Sequence, residues 1–295
     1  MPVEKNRGAG LIAARKIVQI TILVFLVLTV IAALHAYNIW DTQRDNIFEP
    51  EAVLQTTPER LGVQYEEVRI PSGSGVERGD LHGWWIPGTA SNAPTVLYLH
   101  GNFRNISHHL ESTLHYREMG YNILLVDYRG YGKSTGGKPS EKKVYEDAEA
   151  AWQYLILGRG IKSSQIFIYG LSLGGAIAID LAEHHPEAAG LIVEGSFTSM
   201  QAMGEIKHKY LPVGLLLNQR FESLQKIAKL KIPLLLIHGR WDEKVPYSMS
   251  QQLYAAAQQP KSLLLVEGGE HSNSRSVGWI EYRNVVTAFV RQYAH

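Results

Sequence analysis

Gln165-Ile166-Phe167-Ile168-Tyr169-Gly170-Leu171-Ser172-Leu173-Gly174-Gly175 is the stretch on which the reading of this chain turns. A short β-branched and aromatic run leads into Gly-x-Ser-x-Gly, and an apolar helical pattern, Ala176-Ile177-Ala178-Ile179-Asp180-Leu181-Ala182, leads away from it. Strand, tight turn and helix in that order are the setting of a nucleophile elbow. The turn is so sharp that small residues must flank the serine, and Gly170, Gly174 and Gly175 supply the room. The Ser172 hydroxyl is then expected at the tip of the turn, above a helix N-terminus whose dipole and free N–H groups favour developing negative charge. A glycine-rich strand-to-helix turn with a chance serine is the alternative that this stretch alone leaves open.

A serine nucleophile needs a histidine base and a carboxylate to orient it, and after an elbow of this kind they follow in the order acid, then histidine. Downstream, the apolar strand Pro233-Leu234-Leu235-Leu236-Ile237 ends in His238-Gly239-Arg240-Trp241-Asp242. An acid in the loop after a buried parallel strand lies on the same sheet edge as the elbow, which makes Asp242 the choice. The next apolar strand, Ser262 to Val266, runs into Glu267-Gly268-Gly269-Glu270-His271. Among 12 histidines, His271 is singled out by this position alone. Glu194 also ends a strand and is the runner-up for the acid.

An oxyanion hole requires donors aimed at the developing negative charge. One is expected from the backbone N–H of Leu173, the residue after the nucleophile; the other comes from the loop after an earlier strand. Thr95-Val96-Leu97-Tyr98-Leu99 fits that strand and opens into His100-Gly101-Asn102-Phe103. The second donor is assigned to the backbone of Asn102, with Phe103 as the fallback, and His100 is read as a structural loop histidine.

The ordered set, His100-Gly101-Asn102, Asp127-Tyr128-Arg129-Gly130-Tyr131-Gly132-Lys133-Ser134, the elbow, Glu194-Gly195-Ser196-Phe197, the Asp242 loop and His271, resembles an α/β-hydrolase superfamily serine hydrolase of the membrane-anchored α/β-hydrolase-domain branch. The resemblance covers the chain from about residue 65 onward and implies Ser172, Asp242 and His271 as the triad. It leaves the substrate open, because folds of this kind host esterases, thioesterases, lipases, peptidases and non-hydrolases.

The hydropathy pattern agrees. Short apolar runs alternate with longer segments of helical periodicity, as in a mostly parallel α/β sheet covered on both faces. Strands are expected near 65–70, 81–86, 95–99, 122–127, 165–169, 190–194, 233–237 and 262–266, an eight-stranded sheet. Helices are expected near 107–118, 141–157, 174–184, 247–258 and 277–292, with Ser140 as an N-cap. Asp127 and Arg129 read as a structural ion pair or loop anchor. Residues 198–231 form a short cap, so the site is expected to be fairly open. Its apolar piece Tyr210–Leu217 is either a helix packed on the sheet or a wall of an acyl pocket.

The N-terminus carries a second signal. From Ile17 to Leu34 no charge occurs, and this run just reaches the roughly 18 residues that mark a spanning helix. It is longer than the usual apolar core of a cleaved signal peptide and lacks a good cleavage site. Lys5, Arg7, Arg15 and Lys16 precede it, whereas Asp41, Arg44, Asp45, Glu49 and Glu51 follow. The positive-inside rule then places the N-terminus in the cytoplasm and the hydrolase domain across the membrane, with Tyr37 and Trp40 at the far interface. The expected organisation is a tail at 1–16, a signal anchor at 17–37, a connector at 38–64 and the catalytic domain at 65–295.

Composition bounds the rest. With no cysteine among 295 residues, a disulfide, a thiol nucleophile and cysteine-ligated zinc are ruled out. A disulfide-free extracytoplasmic domain of this size is most at home in the bacterial periplasm. The net charge of +1 shows no basic footprint for nucleic acid. No phosphate-binding loop and no metal-site spacing occurs, so no cofactor or metal is expected. The reading is a single-pass serine hydrolase acting on a small-molecule or lipid-like ester or thioester, with a serine peptidase, a non-catalytic binding protein of the same fold, or lyase-type chemistry as alternatives.

Overall fold

The computed structural model describes residues 3–90, 92–208 and 212–294, with side chains from Ala14 onward. Eight strands make the main sheet: β1 (Glu66–Ser72), β2 (Gly79–Ile86), β3 (Thr95–Leu99), β4 (Asn122–Val126), β5 (Ile166–Leu171), β6 (Gly190–Glu194), β7 (Leu234–Gly239) and β8 (Lys261–Val266). Their spatial order is β8-β7-β6-β5-β3-β4-β2-β1. Only β2 runs antiparallel to its neighbours; every other pairing is parallel. The central strands are buried on both sides, so their side chains alternate between two cores. Ile166 and Ile168 of β5 face one core, while Phe167 and Tyr169 face the other.

Six longer helices accompany the sheet: α1 (Val3–Ile47), α2 (Ile106–Glu118), α3 (Glu141–Gln153), α4 (Leu173–His184), α5 (Ser248–Ala256) and α6 (Trp279–Tyr293). Helices α3, α4 and α5 close one core, and α2 and α6 close the other. Ser140 caps α3, its hydroxyl accepting from the Lys143 amide, and Asn105 caps α2. The helix expected at 141–157 stops at Gln153 and continues as one π-type turn, Tyr154–Gly158. The one expected at 277–292 runs unbroken as α6, with a separate short turn at Ser274–Val277 before it.

Strand order reverses between β3 and β5, and open α/β sheets offer a crevice at such a point beyond the strand carboxyl ends. Buried polar groups brace the loops there. Asp127 follows β4, and its carboxylate accepts from the Ile106 amide at 2.9 Å, pinning the start of α2. Of the two readings offered by the sequence, ion pair or loop anchor, Asp127 takes the second, since it does not pair with Arg129. Arg129 instead bonds Asp147 and Glu146 of α3, each at 2.6 Å.

The N-terminal helix departs most from expectation. It runs unbroken from Val3 to Ile47, and Ala14–Ile47 is long and apolar enough to cross a membrane. The first ten residues of the expected connector are therefore helical. Ile47 and Phe48 enter the domain core, with Phe48 edge-on to Phe221 at 6.2 Å. The Gln43 amide meets the base of the cap: its oxygen accepts from Asn218 N at 2.8 Å, and its nitrogen donates to Leu216 O at 3.3 Å. Among its described residues the cap has three short helices, Met200–Lys207, Val213–Leu216 and Ser223–Ile227; Tyr210 and Leu211 of its expected apolar piece lie outside the described residues.

Phe48→Ala is expected to lower the unfolding free energy by about 3–5 kcal/mol, read by urea titration of the detergent-solubilised chain. A second expectation concerns Asp127. Burial pushes its carboxyl up to about 6, against the lowering pull of His82 and the Ile106 amide. The folded state therefore holds this proton more tightly than the unfolded chain, whose carboxyl titrates at about 4. The contribution of this carboxyl to stability is then greatest at low pH and declines as pH rises from about 4 through about 6. Thermal melts of Asp127→Asn across this window are expected to lose that part of the slope.

Candidate active site

The elbow is built by a close crossing of β5 and α4. A Cβ on Gly170 would run into the Gly174 carbonyl, and one on Gly174 into the Leu99 carbonyl, so neither position admits a side chain. Ser172 sits between them with φ 54° and ψ −117°, a left-handed conformation that costs a non-glycine residue about 1–3 kcal/mol. Neighbours hold it there: Ser172 N donates to Glu194 O at 2.8 Å, and the Ser196 hydroxyl donates to Ser172 O at 2.8 Å. The side chain stands at the N-terminus of α4, where Leu173, the first helical residue, has no intrahelical acceptor for its N–H.

The loops after β7 and β8 bring the other two residues to it. His271 Nε2 lies 3.0 Å from Ser172 Oγ, and His271 Nδ1 lies 2.7 Å from Asp242 Oδ2. With Nδ1–H donating to the carboxylate, Nε2 is the acceptor for the serine proton. Asp242 is buried, and its other oxygen accepts from the amides of Lys244 at 2.9 Å and Val245 at 2.8 Å. Burial alone would raise this carboxyl. The hydrogen bonds from His238 and His271, the imidazole charge and the Val245 amide outweigh it and hold the group well below the usual carboxylate range. Asp242 is therefore an anion at neutral pH.

His238 was not foreseen. It closes β7, is fully buried, and places Nε2 3.1 Å from Asp242 Oδ2 and 2.9 Å from Val245 O. Two acceptors at Nε2 fix the proton there, so Nδ1 accepts from the Ser250 hydroxyl at 2.6 Å. A strand-end histidine four residues before the acid was the available signal.

The runner-up acid is occupied elsewhere. Glu194 Oε2 accepts from Tyr169 at 2.7 Å, Tyr282 at 2.9 Å and Arg275 at 3.0 Å, all buried. Arg275 lies four residues beyond His271, so this ion pair ties the histidine loop to the end of β6. Nothing in the sequence connects the two.

The loop after β3 passes close by, with Gly101 packed so that a Cβ there would lie 3.5 Å from Ser172 Cβ. His100 is buried and kept neutral: burial lowers it well below its usual value, helped by His109. Its Nδ1–H donates to Gly101 O at 2.7 Å, which turns the N–H of the same peptide, that of Asn102, to the opposite side. The Asn102 carbonyl accepts from Tyr131 Oη at 2.9 Å and from Glu49 N at 3.1 Å. Glu49-Pro50 then pairs in parallel with Phe103-Arg104, directly after the N-terminal helix ends. Residues 49–53 were expected in a connector; instead they line this loop, and Asn105 Nδ2 donates to the carbonyls of Glu51 and Val53, each at 2.8 Å.

Ser172, His271, Gly101, Asn102, Glu49 and Arg275 border one cavity of about 510 Å³. Phe103 and Leu171 give it apolar surface, while His109, Ser112 and Arg275 make much of its wall polar. Among the described residues of the cap piece, 212–217, none borders this cavity.

A hydrolase family model described as serine aminopeptidase, S33 matches residues 90–226, a stretch that holds the elbow and the loop after β3. An uncharacterized protein of Mycobacterium tuberculosis is 34% identical over 236 residues, covering 80% of this chain and 82% of that one. The α/β hydrolase domain-containing protein WAV2 of Arabidopsis thaliana is 31% identical, covering 81% and 82%. Among solved structures, an esterase of Pyrococcus furiosus aligns with a TM-score of 0.67 at 25% identity, over 84% of this chain and all of that one. Sheet order, elbow and relatives agree: the chain belongs to the α/β-hydrolase superfamily and is a hydrolase of the serine-hydrolase type.

Proposed function

We propose that the chain is a membrane-anchored serine hydrolase that cleaves a carboxylic ester or thioester through an acyl-serine intermediate. The observation that carries this is the hydrogen-bonded series Ser172 Oγ, His271 and Asp242, set on a strained elbow beside a cavity. Ser172 Oγ attacks the acyl carbonyl while its proton passes to His271 Nε2. Asp242 accepts from Nδ1–H throughout, fixing the tautomer and stabilising the imidazolium. The Leu173 and Asn102 amides meet the oxyanion of the tetrahedral intermediate. Collapse breaks the bond to the leaving group, which departs with the proton from His271. Water then attacks the acyl-serine with His271 as base, releasing the acid and restoring Ser172.

The similarity to an esterase supports ester over amide chemistry. The partly polar wall of the cavity favours a short or polar acyl group over a long alkyl chain. The apolar helix, with basic residues before it and aromatic residues Tyr37 and Trp40 near its far end, supports a single-pass anchor. Its N-terminus is then cytoplasmic, and the hydrolase domain faces the extracytoplasmic side, in a bacterium the periplasm.

A fluorophosphonate probe is expected to label the detergent-solubilised protein stoichiometrically by intact mass, with no labelling of Ser172→Ala. An unlabelled, folded wild-type protein would sink the proposal. Asp242→Asn keeps the shape but inverts the hydrogen bond to Nδ1, and ester turnover is expected to fall by about four orders of magnitude. Across p-nitrophenyl esters from acetate to dodecanoate, kcat/KM is expected to decline with chain length. Turnover of aminoacyl anilides with no ester turnover would favour a peptidase.

A further inference from the structure

We propose that the cap is a lipid-contacting element, with Leu215 resting in the headgroup layer of the bilayer that holds α1; this builds on the anchor reading above. Contacts between cap and helix run in antiparallel order. Phe221 meets Phe48, Gln219 and Asn218 meet Gln43, and Leu216 shares the Gln43 amide donor with Trp40, whose carbonyl accepts at 2.8 Å. The chain from residue 221 back to 216 thus descends along α1 toward its apolar span. Residues 218–221 are held firmly at the top of this descent. Glu141 Oε1 accepts from Phe221 N at 2.7 Å, and Gln219 Oε1 accepts from Glu141 N at 2.6 Å.

Helix geometry sets the height. A helix rising 1.5 Å per residue needs about 21 residues, 17 to 37 here, to cross a hydrocarbon core of about 30 Å. Trp40 then stands about 5 Å, and Gln43 about 9 Å, beyond the hydrocarbon edge. The headgroup layer is about 5–8 Å thick on each side, so Trp40 lies within it. Gln43, with the Leu216 carbonyl that shares its amide with Trp40, stands at its outer edge, and on this proposal Leu215, the next residue down the descent, lies inside it. Tyr37 and Trp40 lie exposed there, 6.3 Å apart, as an aromatic pair suited to that layer.

The chemistry of the cap fits the location. Leu215 is 86% exposed, whereas Val213, two residues earlier, is buried. On the adjoining helix Met200–Lys207, Ile206 is exposed beside the basic Lys207 and His208, and Arg220 is exposed at the cap base. The two short helices enclose a shallow hollow of about 380 Å³ that includes Leu215, Pro212 and Glu205; the Glu205 carboxylate accepts from Gln201 at 2.8 Å. An isolated exposed leucine in water needs no account. One held at headgroup height beside exposed cations has an apolar and anionic partner within reach.

The absence of native cysteine makes the test direct. The full chain, reconstituted in phosphatidylcholine–phosphatidylglycerol vesicles, is labelled with the fluorophore NBD at Leu215→Cys, Val27→Cys or Val76→Cys. Val76 is a fully exposed turn residue and Val27 lies inside the apolar run. Spin-labelled lipids quenching from the headgroup region are expected to act on the position 215 label about twofold or more over the position 76 label. Equal quenching at 215 and 76, with strong mid-chain quenching at 27, would overturn the cap proposal and leave the anchor standing. No quenching at 27 would overturn the anchor reading, and the cap proposal with it.

Discussion

The site depends on one residue held where its backbone would not otherwise rest. Ser172 occupies a left-handed conformation, and the chain tolerates it because the crossing of β5 and α4 leaves no alternative path. Gly170 and Gly174 let the backbones touch, Glu194 O and the Ser196 hydroxyl grip the serine from both sides, and the Gly175 amide closes the turn on Ser172 O at 2.9 Å. A cost of about 1–3 kcal/mol is small against the burial around it. The strain presents Oγ at the sheet edge, free of its own helix and within 3.0 Å of His271.

Around that point the protein sorts two strand-end acids by their partners. Glu194 is saturated on one oxygen by two phenols and a guanidinium, and Arg275 keeps its charge in a buried setting because Glu194 lies beside it. Breaking such a pair by removing one partner typically costs about 3–5 kcal/mol, because the remaining charge is left buried and unpaired. Its position beneath the His271 segment makes it a brace for the histidine loop. Asp242 instead spends its hydrogen bonds on two imidazoles and two amides. One acid fixes a loop and the other holds the His271 imidazole, and surroundings alone separate them.

Much of this was readable in advance because it is local. The elbow is a contiguous pattern, and Asp242 and His271 follow apolar strands whose ends a parallel sheet gathers on one edge. Ser140 announces α3 as a cap. What escaped was set by contacts between distant segments. Glu194 could be weighed as an acid only until Arg275, far along the chain, was found against it. His238 read as the first residue after a strand. Nothing in the polar composition of 38–64 reveals that its first part continues a helix, or that Glu49 pairs with the loop after β3, since a two-residue bridge has no periodicity to detect.

That last contact changes how the chain is to be understood. A flexible connector would let the hydrolase domain tumble above a membrane, with site geometry and anchoring independent. Here the helix enters the domain core at Ile47 and Phe48, and the next residue donates its amide to Asn102 O, on the loop after β3 to which we assign the second oxyanion donor. From Tyr37 to Ile47 the unbroken helix spans about 15 Å. On the anchor reading, that fixed rise sets the height of Ser172 above the bilayer, while Glu49 couples the same helix to the loop after β3 at the cavity border. Removing the N-terminal segment through Glu49, rather than the apolar run alone, would therefore take part of the cavity border with it.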